Sequence, residues 1–131
     1  MVLRKEDLPM VSNAIMNALH EDELEIINEL HQACQEGNAD VVDQLLQLLI
    51  QDIEDHFTTE EELMREAEFF AYPMHKAEHD SMRKRIGELL ERWRKHKEPK
   101  EVQKFIEEEL VSWLLLHIAR WDATTALHLG D

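Results

Sequence analysis

The chain has 131 residues, with 29 acidic against 14 basic side chains, a formal net charge of −15 and a hydrophobic fraction of 44%. Its length predicts one domain, residues 1–131, which would bury about two-thirds of the surface of the unfolded chain and so hold a real core. The acidity argues against nucleic acid or an anionic membrane as partner, since both need a basic surface. Cys34 is the single cysteine, which excludes an internal disulfide and any thiolate-based zinc or iron–sulfur site. No run approaches the roughly 20 apolar residues of a membrane span, and the N-terminal residues hold no apolar stretch suited to a signal peptide, so a cytoplasmic location is expected.

Breaks at Gly37-Asn38, Phe70-Ala71-Tyr72-Pro73 and Lys97-Glu98-Pro99 divide the chain into four stretches of helical apolar periodicity. The pattern predicts helices over 13–36, 40–66, 73–96 and 99–125. The first carries Met16, His20, Leu24, Ile27, Leu30 and Cys34 on one face, and Gly37 suits the left-handed position just past its end. The second, with Asp40 as N-cap, carries Val42, Leu45, Leu49, Ile53, His56, Glu60 and Leu63. The third, with Pro73 in its first turn, carries His75, His79, Met82, Ile86, Leu89 and Trp93. Gly87 inside it costs about 1 kcal/mol relative to Ala, for which close approach of a neighbouring helix is the obvious reason. The fourth, starting at Pro99, carries Ile106, Leu110, Trp113, Leu114, His117 and Trp121, with Asp122 beside them. Short connections between such helices give an all-α fold, an antiparallel up-down four-helix bundle.

Taken singly, each histidine reads as an ordinary polar residue at a bundle boundary. Jointly they do not, because His20, His56, Glu60, His75, His79, His117 and Asp122 all fall on inner faces, drawn from four helices. His56 with Glu60, and His75 with His79, are four apart and lie one turn above each other, so each pair can grip one centre. The step from His117 to Asp122 turns through roughly 140°, so Asp122 is expected to lean in from the edge of its face. A carboxylate buried unpaired among Leu, Ile and Trp would cost several kcal/mol or protonate, so something positive must offset Glu60 and Asp122. Metal is the economical answer. Five imidazoles and two carboxylates exceed what one ion needs, which indicates a dinuclear centre of iron, with manganese and zinc as alternatives. If both carboxylates and a hydroxo or oxo group bridge, an ion with three imidazoles is coordinatively full and one with two keeps an open position for a small ligand.

Other features read as structural. Glu60-Glu61-Glu62 and Glu107-Glu108-Glu109 are expected to face water except at Glu60, so no inward acid stands beyond the ligands. His31 packs or stays exposed, Cys34 is a small buried hydrophobe, and Leu46, Leu48 and Ile50 offer an apolar face that could pair with another copy. His96 lies in a basic helix end that complements the macrodipole.

The segments His56-Phe57-Thr58-Thr59-Glu60-Glu61-Glu62-Leu63-Met64, Tyr72-Pro73-x-His75-x-x-x-His79 and Trp113-Leu114-x-x-His117-Ile118-x-x-x-Asp122 resemble the hemerythrin family, specifically its stand-alone bacterial members. The resemblance implies that His75, His79 and His117 hold one iron, His20 and His56 the other, and that Glu60 and Asp122 bridge them. It also implies that oxygen binds at the two-imidazole iron, taking an electron from each iron and the proton of the bridging hydroxide, and leaves again as oxygen. The approach to His20 departs from the family pattern, with Asn17 and Leu19 where members commonly carry Asp and Gln. Leu114, Ile53, Phe57, Trp113 and Ile118 are the expected walls of the oxygen pocket. The leading expectation is therefore reversible oxygen binding for carriage, storage or delivery, with a separate redox partner protein to keep the iron reduced. The alternative is a di-iron enzyme or sensor acting on nitric oxide, peroxide or oxygen.

Overall fold

The structure is a computed structural model and describes residues 2–129. Four long helices run through it: α1 (Ala14–Glu36), α2 (Ala39–Glu66), α3 (Tyr72–His96) and α4 (residues 99–129). α1 packs on α2 and on α4, α2 on α3, and α3 on α4, so the four close into a ring around one core. Two-residue joints at 37–38 and 97–98 and a five-residue joint at 67–71 make neighbours antiparallel.

The boundaries follow from local chemistry. Asn13 caps α1 by accepting from the Met16 amide, and Gly37 ends it in the left-handed region at φ 71°. Asn38, rather than the expected Asp40, caps α2 by accepting from the Val41 amide. Asp40 lies in the first turn, where its charge still complements the macrodipole. Ahead of α1 the chain is strapped down by two asparagines. Asn17 binds the Val11 backbone at both ends of its amide, at 2.9 and 2.8 Å, and Asn28 does the same for Leu3 at 3.1 and 2.8 Å. Asn17 therefore holds the segment leading into α1, three residues before His20.

α4 departs most from a simple helix. Val102, Ile106, Leu110, Leu114, Ile118, Asp122 and Ala126 are all buried to 1% exposure or less. Each four-residue step overshoots the helical turn by about 40°, so such a run would wind well off one face of a regular α-helix. Two π turns, Ile106–Leu110 and Ile118–Asp122, absorb the drift. Their five-residue hydrogen bonds run from the Val111 amide to the Ile106 carbonyl and from the Ala123 amide to the Ile118 carbonyl.

Three expectations do not hold. On α2 the core takes Leu46 and Met64, while Leu45 and Leu63 are half-buried. Leu46 and Ile50 belong to the core side and only Leu48 of that trio is exposed, since residues two apart on a helix do not share a face. Of the two settings expected for His31 the structure takes the packed one, with the ring buried and bonded to Glu107 at 2.7 Å. Nothing lies within 4 Å of where a Cβ on Gly87 would sit, so no close helix contact explains that glycine. Cys34 is buried as expected, and burial, then the Glu107 charge, pushes its thiol up to about 11.

Candidate metal centre

His20, His56, Glu60, His75, His79, His117 and Asp122 converge in the bundle core, and each is 1% exposed or less. They form two groups, His20 with His56 and His75 with His79 and His117, and both groups include Glu60 and Asp122. The second π turn makes the convergence work. Its wider winding brings Asp122 round beneath His117, with Asp122 Oδ1 3.0 Å from His117 Nε2, so Asp122 does not lean in from an edge.

Every imidazole turns Nε2 inward, and each carboxylate shows one oxygen to each group. Asp122 Oδ2 lies 2.8 Å from His20, while its Oδ1 lies 2.9 Å from His75 and 3.0 Å from His117. Glu60 Oε2 lies 2.7 Å from His56, while its Oε1 lies 3.2 Å from His79. Despite these short separations, Glu60 Oε1, Asp122 Oδ1 and His79 Nε2 are buried without a hydrogen bond of acceptable angle, and His75 Nε2 faces His117 Nε2 at 3.1 Å. Inward donors crowded round two shared carboxylates, some of them orphaned, are the arrangement a pair of cations would satisfy. The nitrogen and oxygen donors, with no thiolate, suit iron.

The opposite edges of the rings are held by residues that the sequence reading passed over. With Nε2 directed inward, His56 Nδ1–H donates to Glu23 at 2.5 Å, His79 Nδ1–H to Glu61 at 2.9 Å, and His75 Nδ1–H to Thr125 at 2.6 Å. Such partners fix the ring orientation and strengthen the ligand. Arg83 in turn binds Glu61 at 2.8 Å. Glu23 and Glu61 are 2% and 7% exposed, which corrects the expectation of no inward acid beyond the ligands and of a solvated Glu61. The signal was present: Glu23 and Thr125 each stand three residues after a candidate ligand, on the same helical side. Glu23→Leu is expected to weaken iron at the His20–His56 group by about 10- to 100-fold, because the His56 N–H would be left buried and unpaired. Competition against a calibrated chelator reads this directly, and an unchanged affinity would remove Glu23 from the site.

Without metal, the centre stores protons. Burial would lower His20, but the Asp122 and Glu60 carboxylates outweigh it and raise the imidazole from 6.5 to about 9. His56 is raised well above its ordinary value for the same reason, with Glu60 and Glu23 overcoming burial. Asp122 is held well below the usual carboxylate range, burial being outweighed by His117, His20 and His75. Cations bound here would have to displace these protons, so their uptake would release protons and weaken as pH falls. A raised His20 stabilises the metal-free fold fully below pH 6.5, and that contribution is lost as pH climbs through about 9. Denaturant titrations are expected to show the metal-free protein losing on the order of 3 kcal/mol over that interval and the iron-loaded protein losing none of it.

Of the residues expected to wall the pocket, Leu114, Ile118, Phe57 and Ile53 are buried in the main core cluster and Trp113 packs half-buried against it. Phe57 stacks on His79 with centroids 4.0 Å apart, and Trp113 stacks on His117 at 4.4 Å, so both rings bracket the three-imidazole group. Phe57 also leans on His56 at 5.6 Å.

Among the described residues, no helix is long and apolar enough to cross a membrane. The chain is 53% identical over its full length to a bacteriohemerythrin of Aquifex aeolicus, covering all of that relative. It is 28% identical to a bacteriohemerythrin of Methylococcus capsulatus over 103 residues, covering 79% of this chain and 77% of the relative. No solved structure gives a significant match. The family model for the Hemerythrin HHE cation binding domain matches residues 11–126, a span that takes in all seven converging residues and the π turn that aims Asp122. This chain belongs to the hemerythrin family.

Proposed function

We propose that the protein binds molecular oxygen reversibly at a two-iron centre held by His20, His56, Glu60, His75, His79, His117 and Asp122, for oxygen carriage, storage or delivery. The carrying observation is the donor set itself: five inward imidazoles and only two carboxylates, each carboxylate spanning both groups. Neutral imidazoles favour the reduced form of iron over the high-valent states that carboxylate-rich sites support. Two ferrous ions bound here would supply the electrons that hold oxygen and take them back on release.

The chain's own residues set the rest. The His20–His56 group has one imidazole fewer than its neighbour, so the incoming ligand binds on that side. Glu60 and Asp122 would hold both ions, and Glu23 and Glu61 keep His56 and His79 aligned. Leu114, Ile53, Phe57, Trp113 and Ile118 exclude water, which retards proton delivery and the escape of charged, reduced oxygen. Repeated cycling of the reduced, iron-loaded protein between argon and air tests the proposal. A coloured form that appears in air and bleaches under argon through several cycles supports it, and one-way conversion to the diferric state refutes it.

One observation favours a second reading, a di-iron enzyme acting on nitric oxide, peroxide or oxygen. Turnover needs an inward acid, and buried Glu23 stands at His56, with the Asp52 carboxyl near it pushed up to about 6 by burial and then by the Glu23 charge. Sustained consumption of nitric oxide or peroxide under reductant, faster than autoxidation, would establish it.

A further inference from the structure

We infer that the hollow between α2 and α3 at Gly87 is the route by which an uncharged diatomic molecule reaches the centre; this rests on the oxygen-binding reading above.

The hollow is a groove of about 180 Å³ lined by Ile50, Ile53, Ile86, Gly87 and Leu90, with Glu54 and Arg83 at one end. Beside it lies a small apolar hollow with about 10 Å³ of room for the centre of a water-sized molecule, walled by aliphatic and aromatic side chains that include Ile50, Ile53, Ile86, Leu30 and Leu110. The two spaces share Ile50, Ile53 and Ile86, so they adjoin at those side chains. From the inner walls the centre is about one to two helical turns away. Leu110 is one turn before Leu114, and Ile53 is one turn before His56 and Phe57.

Gly87 keeps the outer end open. It stands in the middle of α3, exposed, with nothing within 4 Å of the position a Cβ would take and no positive φ to require a glycine. Alanine would serve the helix better there. What the missing side chain leaves is open space in the groove that Ile50 and Ile53 also line. Arg83 closes the polar end: it binds Glu54, Glu61 and Asp80 and lies 5.3 Å above the Phe57 ring. A passage of this chemistry is permeable to oxygen but costly to superoxide or a proton, because an ion would cross aliphatic side chains without hydration. The route thus admits the ligand while keeping its reduced form in place.

A Leu at position 87 would fill the groove without touching the centre. In iron-loaded Gly87→Leu, the oxygen association and dissociation rate constants are expected to fall together by roughly three- to tenfold, leaving Kd unchanged, with Gly87→Ala between the two. Equal slowing of both rates marks a passage, whereas a structural disturbance of the centre changes Kd. Xenon-pressurised crystals of the iron-loaded protein give a second measurement: xenon is expected beside Ile50 and Ile53, and Gly87→Leu is expected to remove it. Unchanged rates, a changed Kd, or xenon absent from the hollow would each overturn the inference. If the unmodified protein binds no oxygen at all, the functional proposal fails, and the xenon result alone then decides whether the passage exists.

Discussion

Asp122→Asn is expected to reduce bound iron from two per chain to about one or fewer while leaving helical content unchanged. Asp122 is the carboxylate common to His20, His75 and His117, with distances of 2.8, 2.9 and 3.0 Å. Asparagine has the same shape, so the bundle should close around it. It lacks the negative charge, however, and must turn an NH₂ group toward one of the two cation positions. One bridging anion is lost, and the remaining charge of Glu60 cannot offset two divalent ions in a core of this burial. The metal-free variant should also lose much of the upward push on the His20 imidazole, since Asp122 is the largest of the groups that raise it. Iron counted by mass spectrometry beside far-ultraviolet circular dichroism separates loss of metal from loss of fold. Two irons retained would show that Asp122 does not bridge.

Leu114→Ala is expected to speed autoxidation of the oxygen-bound protein by about tenfold and to lower stability by about 2–5 kcal/mol. Leu114 is fully buried in the core cluster that holds Phe57, Ile53 and Ile118, one turn before His117. Truncation there leaves a space beside the centre that water can enter. Oxygen that has taken an electron departs as an ion, which needs hydration, so a wetter pocket lowers the barrier to its loss. The rate of conversion to the diferric spectrum, set beside a denaturation curve, distinguishes the two effects. A less stable protein with an unchanged autoxidation rate would remove Leu114 from the gating role and leave it as plain core.

Much of this molecule was legible because two periodicities coincide. Apolar residues at helical spacing place the four helices, and His20, His56, Glu60, His75, His79 and His117 interrupt those stripes on the inward side. What escaped was any feature that depends on the helix not being ideal. The run of Val102, Ile106, Leu110, Leu114, Ile118, Asp122 and Ala126, every fourth residue, already required extra residues per turn, yet a uniform helical wheel put Asp122 at an edge. Glu23 and Glu61 were hidden for a different reason. A glutamate amid polar neighbours reads as solvated until a histidine from another helix supplies its partner, and that pairing is a tertiary fact. Gly87 was misread because a glycine within a helix suggests close contact, whereas here it borders open space. The departures at Asn17 and Leu19 found a partial explanation: Asn17 serves the strap ahead of α1. The structure shows no comparable role for Leu19.

The most direct test of the two-iron centre is diffraction from crystals of the iron-loaded protein at the iron absorption edge. Two anomalous peaks about 3.5–4 Å apart are expected. Nε2 of His20 and His56 should lie on one, Nε2 of His75, His79 and His117 on the other, with Glu60 and Asp122 spanning both. A single peak, or two peaks with His20 turned away, would contradict it.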